Sequence, residues 1–391
     1  MEQASERMMR LSQRLPEDLS DSPFFSELSK LKREISPYLD LTVSSPLKTG
    51  QAFPLEELLS EAIPKFSVWN PDANGWFDAR KAVSDYFAER GGNFSPDDIQ
   101  LFSSTSEAYS VLFKTLCDSG DAILTPMPGY PLLDSLASLE NIKTAPYFLK
   151  RASGKWELDA DSLYTFPPRT KIFLAVSPHN PTGHVISKAE WETVVDFASR
   201  EELSIVVDEV FGDFIYDGSE RPWNWDSRNV PVFFLGGFSK SVGSPQLKLG
   251  WMAYRSGRLG CSLKSAIEYV ADAYLSVSSP AFSLAAPMLK KSLFYEKRIE
   301  TRVRENLKIL RERFSSKDVV PDVQGGWYAA LHFDGLDDEE LTLRLLRKAK
   351  VLVQPGFFFD FDGDGWIVLS LLQDSKIFAE AVERIYLEVA V

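Results

Sequence analysis

From about residue 100 to residue 254 the chain alternates short apolar runs with longer stretches of helical periodicity. The runs Phe173-Leu174-Ala175-Val176, Leu203-Ser204-Ile205-Val206-Val207 and Val232-Phe233-Phe234-Leu235 are short and rich in β-branched and aromatic residues, which predicts buried strands. Ser187-Lys188-Ala189-Glu190 is a Ser-x-x-Glu capping box and predicts a helix running to about Arg200. Such alternation predicts a parallel sheet with helices on both faces. Further on, Tyr295, Ile299, Val303, Leu307 and Leu310 recur at helical spacing along a charged stretch, which predicts one long helix. Short strands around 327–333, a helix near 338–349 and a final helix near 376–389 then predict a smaller α+β unit. Residues 22–35 predict one more helix, completing that unit or forming an arm. The expected division is 1–44 as arm or part of the small unit, 45–290 as the large domain and 291–391 as the small domain.

Chemistry gathers where the apolar runs end. Lys240 follows one run in Gly237-Phe238-Ser239-Lys240-Ser241. A lysine held at a strand end lies where α/β sheets place ligands, and burial there would free its amine for Schiff-base chemistry. Taken alone, the segment reads more simply as a buried stem with its head in water. A second run ends in Ser177-Pro178-His179-Asn180-Pro181-Thr182-Gly183, and a third in the carboxylates Asp208-Glu209. Ser103-Ser104-Thr105-Ser106 places four hydroxyls at the start of a helix, where free N–H groups and the positive end of the dipole attract anions; an ordinary N-cap needs only one.

In this order and spacing the segments resemble the pyridoxal-phosphate-dependent aminotransferases of class I/II, from about Leu39 to the C-terminus. The resemblance implies an α/β protein of fold type I, with a large domain around a mostly parallel sheet of seven-stranded type and a small α+β domain. It implies pyridoxal 5′-phosphate as cofactor, an amino acid donor and a 2-oxo acid acceptor as partners, and a homodimer. Lys240 would carry the cofactor as a Schiff base and move the proton at the substrate's Cα. Asp208 would pair with the pyridine nitrogen and Asn180 with the ring hydroxyl. Ser104, Thr105, Ser106 and Ser239 would hold the phosphate, with Lys248 adding charge. Tyr130, in Pro128-Gly129-Tyr130-Pro131, would stack on the ring and assist catalysis. Trp69, in the loop 68–75, would reach a neighbouring subunit's site.

Five positions depart from the family pattern. Lys248 stands for an arginine, Phe211 for a tyrosine that bonds the ring hydroxyl, Trp69 for another tyrosine, and Gly237 for a phosphate-binding serine. The fifth is Val368, in Trp366-Ile367-Val368-Leu369-Ser370, where the family's arginine clamps the substrate carboxylate. Valine offers no fork of donors, and no arginine occurs between Arg347 and Arg384. The reaction is thus expected to be transamination, with lyase or decarboxylase chemistry as the alternative. Phe357, Phe358, Phe359 and Phe361 make the C-terminal region aromatic; core packing accounts for them first, an apolar substrate pocket second.

Composition narrows the classes. A net charge of −13 argues against nucleic acid and anionic membrane as main partners. Two cysteines, Cys117 and Cys261, suit a reducing compartment. Three histidines, His179, His184 and His332, make no convincing metal set; His179 is expected to be structural or to line the pocket mouth. The first residues are polar and no apolar run reaches the length of a membrane span, so a cytoplasmic protein is expected.

Overall fold

The computed structural model describes residues 11–16, 18–20 and 22–389; the first ten residues of the expected N-terminal arm lie outside them. The strands are β1 (Leu39–Asp40), β2 (Ile99–Phe102), β3 (Ala122–Met127), β4 (Lys143–Ala152), β5 (Lys155–Leu158), β6 (Thr170–Val176), β7 (Ser204–Asp208), β8 (Val232–Gly237), β9 (Gly250–Arg255), β10 (Tyr328–His332), β11 (Val351–Leu352), β12 (Gln354–Pro355) and β13 (Trp366–Ser370). The large sheet runs β2-β9-β8-β7-β6-β3-β4-β5. Strands β4, β3, β6, β7 and β8 are mutually parallel, β9 lies antiparallel between β8 and β2, and β5 is antiparallel to β4. Seven of these match the expected sheet. The eighth, β5, folds back through Ser153 and Gly154, both at positive φ, the two-residue turn that suits the twist of a hairpin.

Both faces of this sheet are dry, and the strands show why their runs are continuous rather than alternating. On one face Ile172, Leu174, Val206, Phe233 and Leu235 pack with Val111, Leu112 and Phe113 of the helix Thr105–Leu116 and with Leu263 and Ile267 of the helix Cys261–Asp272. On the other, Phe173, Ala175, Ile205, Val207 and Phe234 share a core with Trp191 and Val194 of the helix Lys188–Arg200. Each such side chain, fully buried, contributes about 1.5–3 kcal/mol. The capping box forms as expected: the Ser187 hydroxyl accepts from the Glu190 N–H while Glu190 accepts from the Ser187 N–H.

The same core continues into the second sheet, β10-β13-β12, which is antiparallel. The long helix Ser292–Arg313 and the final helix Ser375–Val389 pack beside it. The helix expected over 338–349 divides into Asp338–Arg344 and a wider-wound turn, Leu345–Ala349. The N-terminal helix Pro23–Glu34 is capped by Ser22 and buries Leu31 against Leu346 and Leu352. It therefore completes the second unit instead of standing free. No helix among the described residues is long and apolar enough to cross a membrane.

Candidate active site

Six of the sequence-marked residues lie along one edge of the large sheet. Taken across β2, β9, β8, β7, β6 and β3, that edge carries Ser104 after β2, Lys248 before β9, Lys240 after β8, Asp208 ending β7, Asn180 after β6 and Tyr130 after β3. Strand β9 runs opposite to its neighbours, so its start meets their ends. This is the carboxyl edge, where open α/β sheets bind ligands.

Lys240 sits in the single helical turn Phe238–Ser241. Its Nζ lies 5.4 Å from the ring centre of Phe211 and 5.2 Å from that of Trp327. These two rings meet edge to face at 5.3 Å. Burial pulls the amine's pKa down to about 8, against the opposing charge of Asp208. At neutral to mildly alkaline pH a substantial fraction is therefore the free nucleophilic amine.

Asp208 is fixed at both oxygens. Oδ1 accepts the Val210 N–H at 3.0 Å and Oδ2 accepts the Tyr109 hydroxyl at 2.6 Å. Burial raises its pKa, while those bonds and Lys240 oppose the rise. Burial and Asp208 together keep Tyr109 protonated, with its pKa well above the usual phenol. Tyr109 escaped the sequence reading, which took it as the first residue of an apolar helix stretch; its one signal is its position a turn after the hydroxyl cluster. Trp327 escaped too, weighed as core. The neighbouring Glu209 is buried on the opposite side of the strand end. Burial raises its pKa well above the carboxylate range despite Arg221, and its Oε2 has no partner.

The hydroxyl cluster divides its labour. Ser104 is the N-cap of the helix Thr105–Leu116, accepting the Glu107 N–H at 3.2 Å, and Ser103 is bound to the Glu107 carboxylate. Among the described residues, Thr105 and Ser106 make no side-chain hydrogen bond. Strand β9 closes in beneath them: a Cβ on Gly250 would stand 2.8 Å from the Ser104 carbonyl carbon and 3.0 Å from the Thr105 nitrogen. Only glycine permits that approach. Ser239 and Lys248 are exposed at the same edge, Lys248 in a left-handed conformation at φ 53°.

Asn180 is buried, with an Oδ1 that has no partner. Its turn is rigid: the His179 N–H donates to the His184 carbonyl at 2.7 Å, the Gly183 N–H to the His179 carbonyl at 2.8 Å, and His179 Nδ1 meets the Thr182 hydroxyl at 2.8 Å. His179 is thus structural. It does not line a pocket mouth, because it is 2% exposed; burial and then His184 push its pKa down to about 3, which keeps the ring neutral. Tyr130 is half-exposed, its turn tied by the Gly129 N–H to the Phe359 carbonyl at 2.8 Å. Cys117 is inert, its thiol pushed up to about 12 by burial and Asp121.

Two sequence-marked residues stand outside the cluster. Trp69 is 78% exposed on a loop pinned by the Asp72 N–H to the Ser276 hydroxyl at 2.9 Å, and no hydrogen bond or ring contact joins it to the cluster. Val368 is fully buried in the middle of β13, opposite Ala330 and Gln354.

Behind the site lies a charge cluster that the sequence did not reveal. Asp213 accepts from Arg90, Arg221 and Tyr86 at 3.0, 3.0 and 2.6 Å, and Arg90 also pairs with Glu296. Burial alone would raise the pKa of Asp213, but the two guanidiniums hold it low. Burial and then Asp213 push Glu296 up to about 8.

The family model for aminotransferases of class I and II matches residues 39–385, and the chain belongs to that family. It is a transaminase of the fold type I kind. An alanine aminotransferase of Mycobacterium tuberculosis is 27% identical over 383 residues, covering 93% of this chain and 88% of the relative. The glutamate-pyruvate aminotransferase AlaA of Escherichia coli K12 is 26% identical over 361 residues, 87% of each chain. Among solved structures, an alanine aminotransferase from Pyrococcus furiosus superposes with a TM-score of 0.87 at 25% identity, covering 97% of this chain and all of that one. None of these is a lyase or decarboxylase.

Proposed function

We propose that this chain binds pyridoxal 5′-phosphate covalently at Lys240 and moves an amino group between an amino acid and a 2-oxo acid. The observation that carries the reading is the Lys240 amine, lowered to about 8 and held between two rings beside the anchored Asp208. Three unspent groups on the same edge fit the cofactor: the Asn180 amide, the Thr105 and Ser106 hydroxyls at a helix N-terminus, and the amine itself. When bound, the cofactor supplies an electron sink that acidifies the substrate's Cα–H. The Lys240 amine would be the group that holds the cofactor and, when free, the base that takes the proton from the substrate's Cα. Asp208 presents a fixed negative charge that keeps the ring nitrogen protonated. Asn180 would donate to the ring oxygen, a role Phe211 cannot share. Thr105, Ser106, Ser239 and Lys248 would hold the phosphate, and Tyr130 would cover the ring.

The domain division at residues 44 and 290 and a cytoplasmic location belong to the same reading. So does a homodimer, which the family membership supports.

The test is spectroscopic. Added cofactor should give a visible-edge absorbance band that an amino acid donor shifts to shorter wavelength and a 2-oxo acid restores. Lys240→Ala should lose both the band and turnover; an unchanged spectrum refutes the assignment.

A further inference from the structure

We infer that the Tyr328 hydroxyl, supported by Ser44, holds the substrate's α-carboxylate in the place of the arginine fork that Val368 lacks. Carboxylate recognition in this chain is then the work of uncharged donors. This rests on the reading of Lys240 as the reactive centre.

The register of the second sheet places the tyrosine. Directly opposed residues of antiparallel strands share a face, so the pair Tyr328–Ser370 and the pair Ala330–Val368 form successive rows on one face. Such rows are about 7 Å apart, so a tyrosine in one reaches the space over its neighbour. Tyr328 also shows that this face looks toward Lys240. Its ring lies 6.0 Å from that of Phe211, whose centre is 5.4 Å from the lysine Nζ. Burial raises the pKa of its hydroxyl to about 12, opposed by a bond with Ser44 and joined by Tyr130. The group is therefore protonated at neutral pH and donates. A ring present only for packing needs no hydroxyl, which costs free energy to bury.

The segment 41–46 brings Ser44 to the same place. Leu41 is tied to the small unit on both sides: its N–H donates to the Leu352 carbonyl at 2.9 Å and its carbonyl accepts from the Ser370 N–H at 2.7 Å. Pro46 lies against Gly243, just past Lys240, where an added Cβ would stand 3.1 Å from the proline Cβ. Ser44 is thus strung between the second sheet and the lysine turn.

The guanidinium stacked on this face, Arg151, lies at its far end. It sits 5.0 Å from the centre of the Trp366 ring, and its Nη1 donates to the Asp318 carbonyl at 2.9 Å. Trp366 in turn stacks on Phe361 at 4.4 Å and meets Trp156 at 5.5 Å. Arg151 shares an open cavity there with Asp360 and Asp362, whose charges oppose its own. Four residues of strand separate the Trp366 row from the Tyr328 row, about 13 Å. An amino acid carries its carboxylate on the carbon that bears the reacting amine. Its holder must therefore stand beside Lys240, not across an indole from it.

The experiment titrates cofactor-loaded protein calorimetrically with 2-methylalanine and tert-butylamine. Neither has a hydrogen on the carbon bearing the amine, and they differ only in a carboxylate against a methyl. The wild type should bind 2-methylalanine at least about tenfold tighter, as expected for hydrogen bonds to a charged group. Tyr328→Phe should cut that preference about tenfold and leave tert-butylamine within about twofold. Ser44→Ala should cut it about threefold. Arg151→Gln should leave it within about twofold, as for a surface change. No preference in the wild type, a preference unchanged in Tyr328→Phe or Ser44→Ala, or one lost in Arg151→Gln overturns the inference. If Tyr328→Phe does not fold, the other two variants decide. The cofactor band is recorded before each titration: its absence in the wild type defeats the proposed function as well, and its presence confines failure to Tyr328 and Ser44.

Discussion

Tyr109→Phe tests the site at a residue that touches no predicted ligand atom. The change deletes one oxygen and keeps the ring, which is 2% exposed and packed in the helix-side core. It removes the 2.6 Å bond from the phenol to Asp208 Oδ2, leaving the Val210 N–H on the other oxygen. A hydrogen bond to a charged group is worth about 1.5–3 kcal/mol. Its loss should move the pKa of Asp208 up. The direction follows from the bond's preference for the ionised carboxylate. Because Asp208 must be ionised to protonate the ring nitrogen, the acid limb of kcat/KM should move to higher pH. Turnover near neutrality should fall about tenfold or more. The assay is a pH profile of the donor half-reaction on protein whose cofactor occupancy has been checked by absorbance. An acid limb in the wild-type position with turnover within twofold would refute the claim that Tyr109 sets the charge of Asp208.

Three other outcomes follow from the electrostatics of buried groups. Attachment of the cofactor to the free protein should quicken as pH rises toward about 8 and level off above it, since Lys240 reacts as the amine; a rate that keeps climbing toward the ordinary lysine value contradicts the lowered pKa. The same group makes the cofactor-free fold bind fewer protons than the unfolded chain between about 8 and the ordinary lysine value, so its contribution to stability rises with pH across that window. Glu190→Ala should cost about 2–3 kcal/mol in urea unfolding at pH 7, because that carboxylate accepts from the N–H groups of Ser187 and Leu158 and pairs with His184 at 3.2 Å. Burial opposes its ionisation, but these bonds hold its pKa at about 2. The stabilisation is therefore present above the ordinary glutamate range and lost as pH falls toward 2; a gap between variant and wild type that persists unchanged through that fall would argue against it.

The sequence disclosed what depends on local pattern. Strand ends carrying Lys240, Asp208 and Asn180 were legible because a buried strand must be continuous and apolar, so polar residues at its end stand out. The capping box at Ser187 was legible for the same local reason. What was hidden depends on contacts far apart in the chain. Tyr109 reaches Asp208 across 99 positions, and in the sequence it is one more apolar helix residue. The Asp213 cluster draws on residues from 86 to 296, none of which shares a motif. The hairpin strand β5 was missed because four residues of mixed polarity carry little periodic signal.

The long helix Ser292–Arg313 ties the two sheets together. Near its first turn, Ser292 and Glu296 are held by Arg90, which also grips Asp213 at the end of the turn carrying Phe211. Further along, Asn306 donates to the carbonyls of Leu371 and Gln373, just beyond β13, at 2.9 and 2.8 Å. The two anchors are ten residues apart, about 15 Å of helix, and one grips each sheet. Swinging the small sheet about this rod keeps both grips intact, whereas sliding it along the rod breaks one of them.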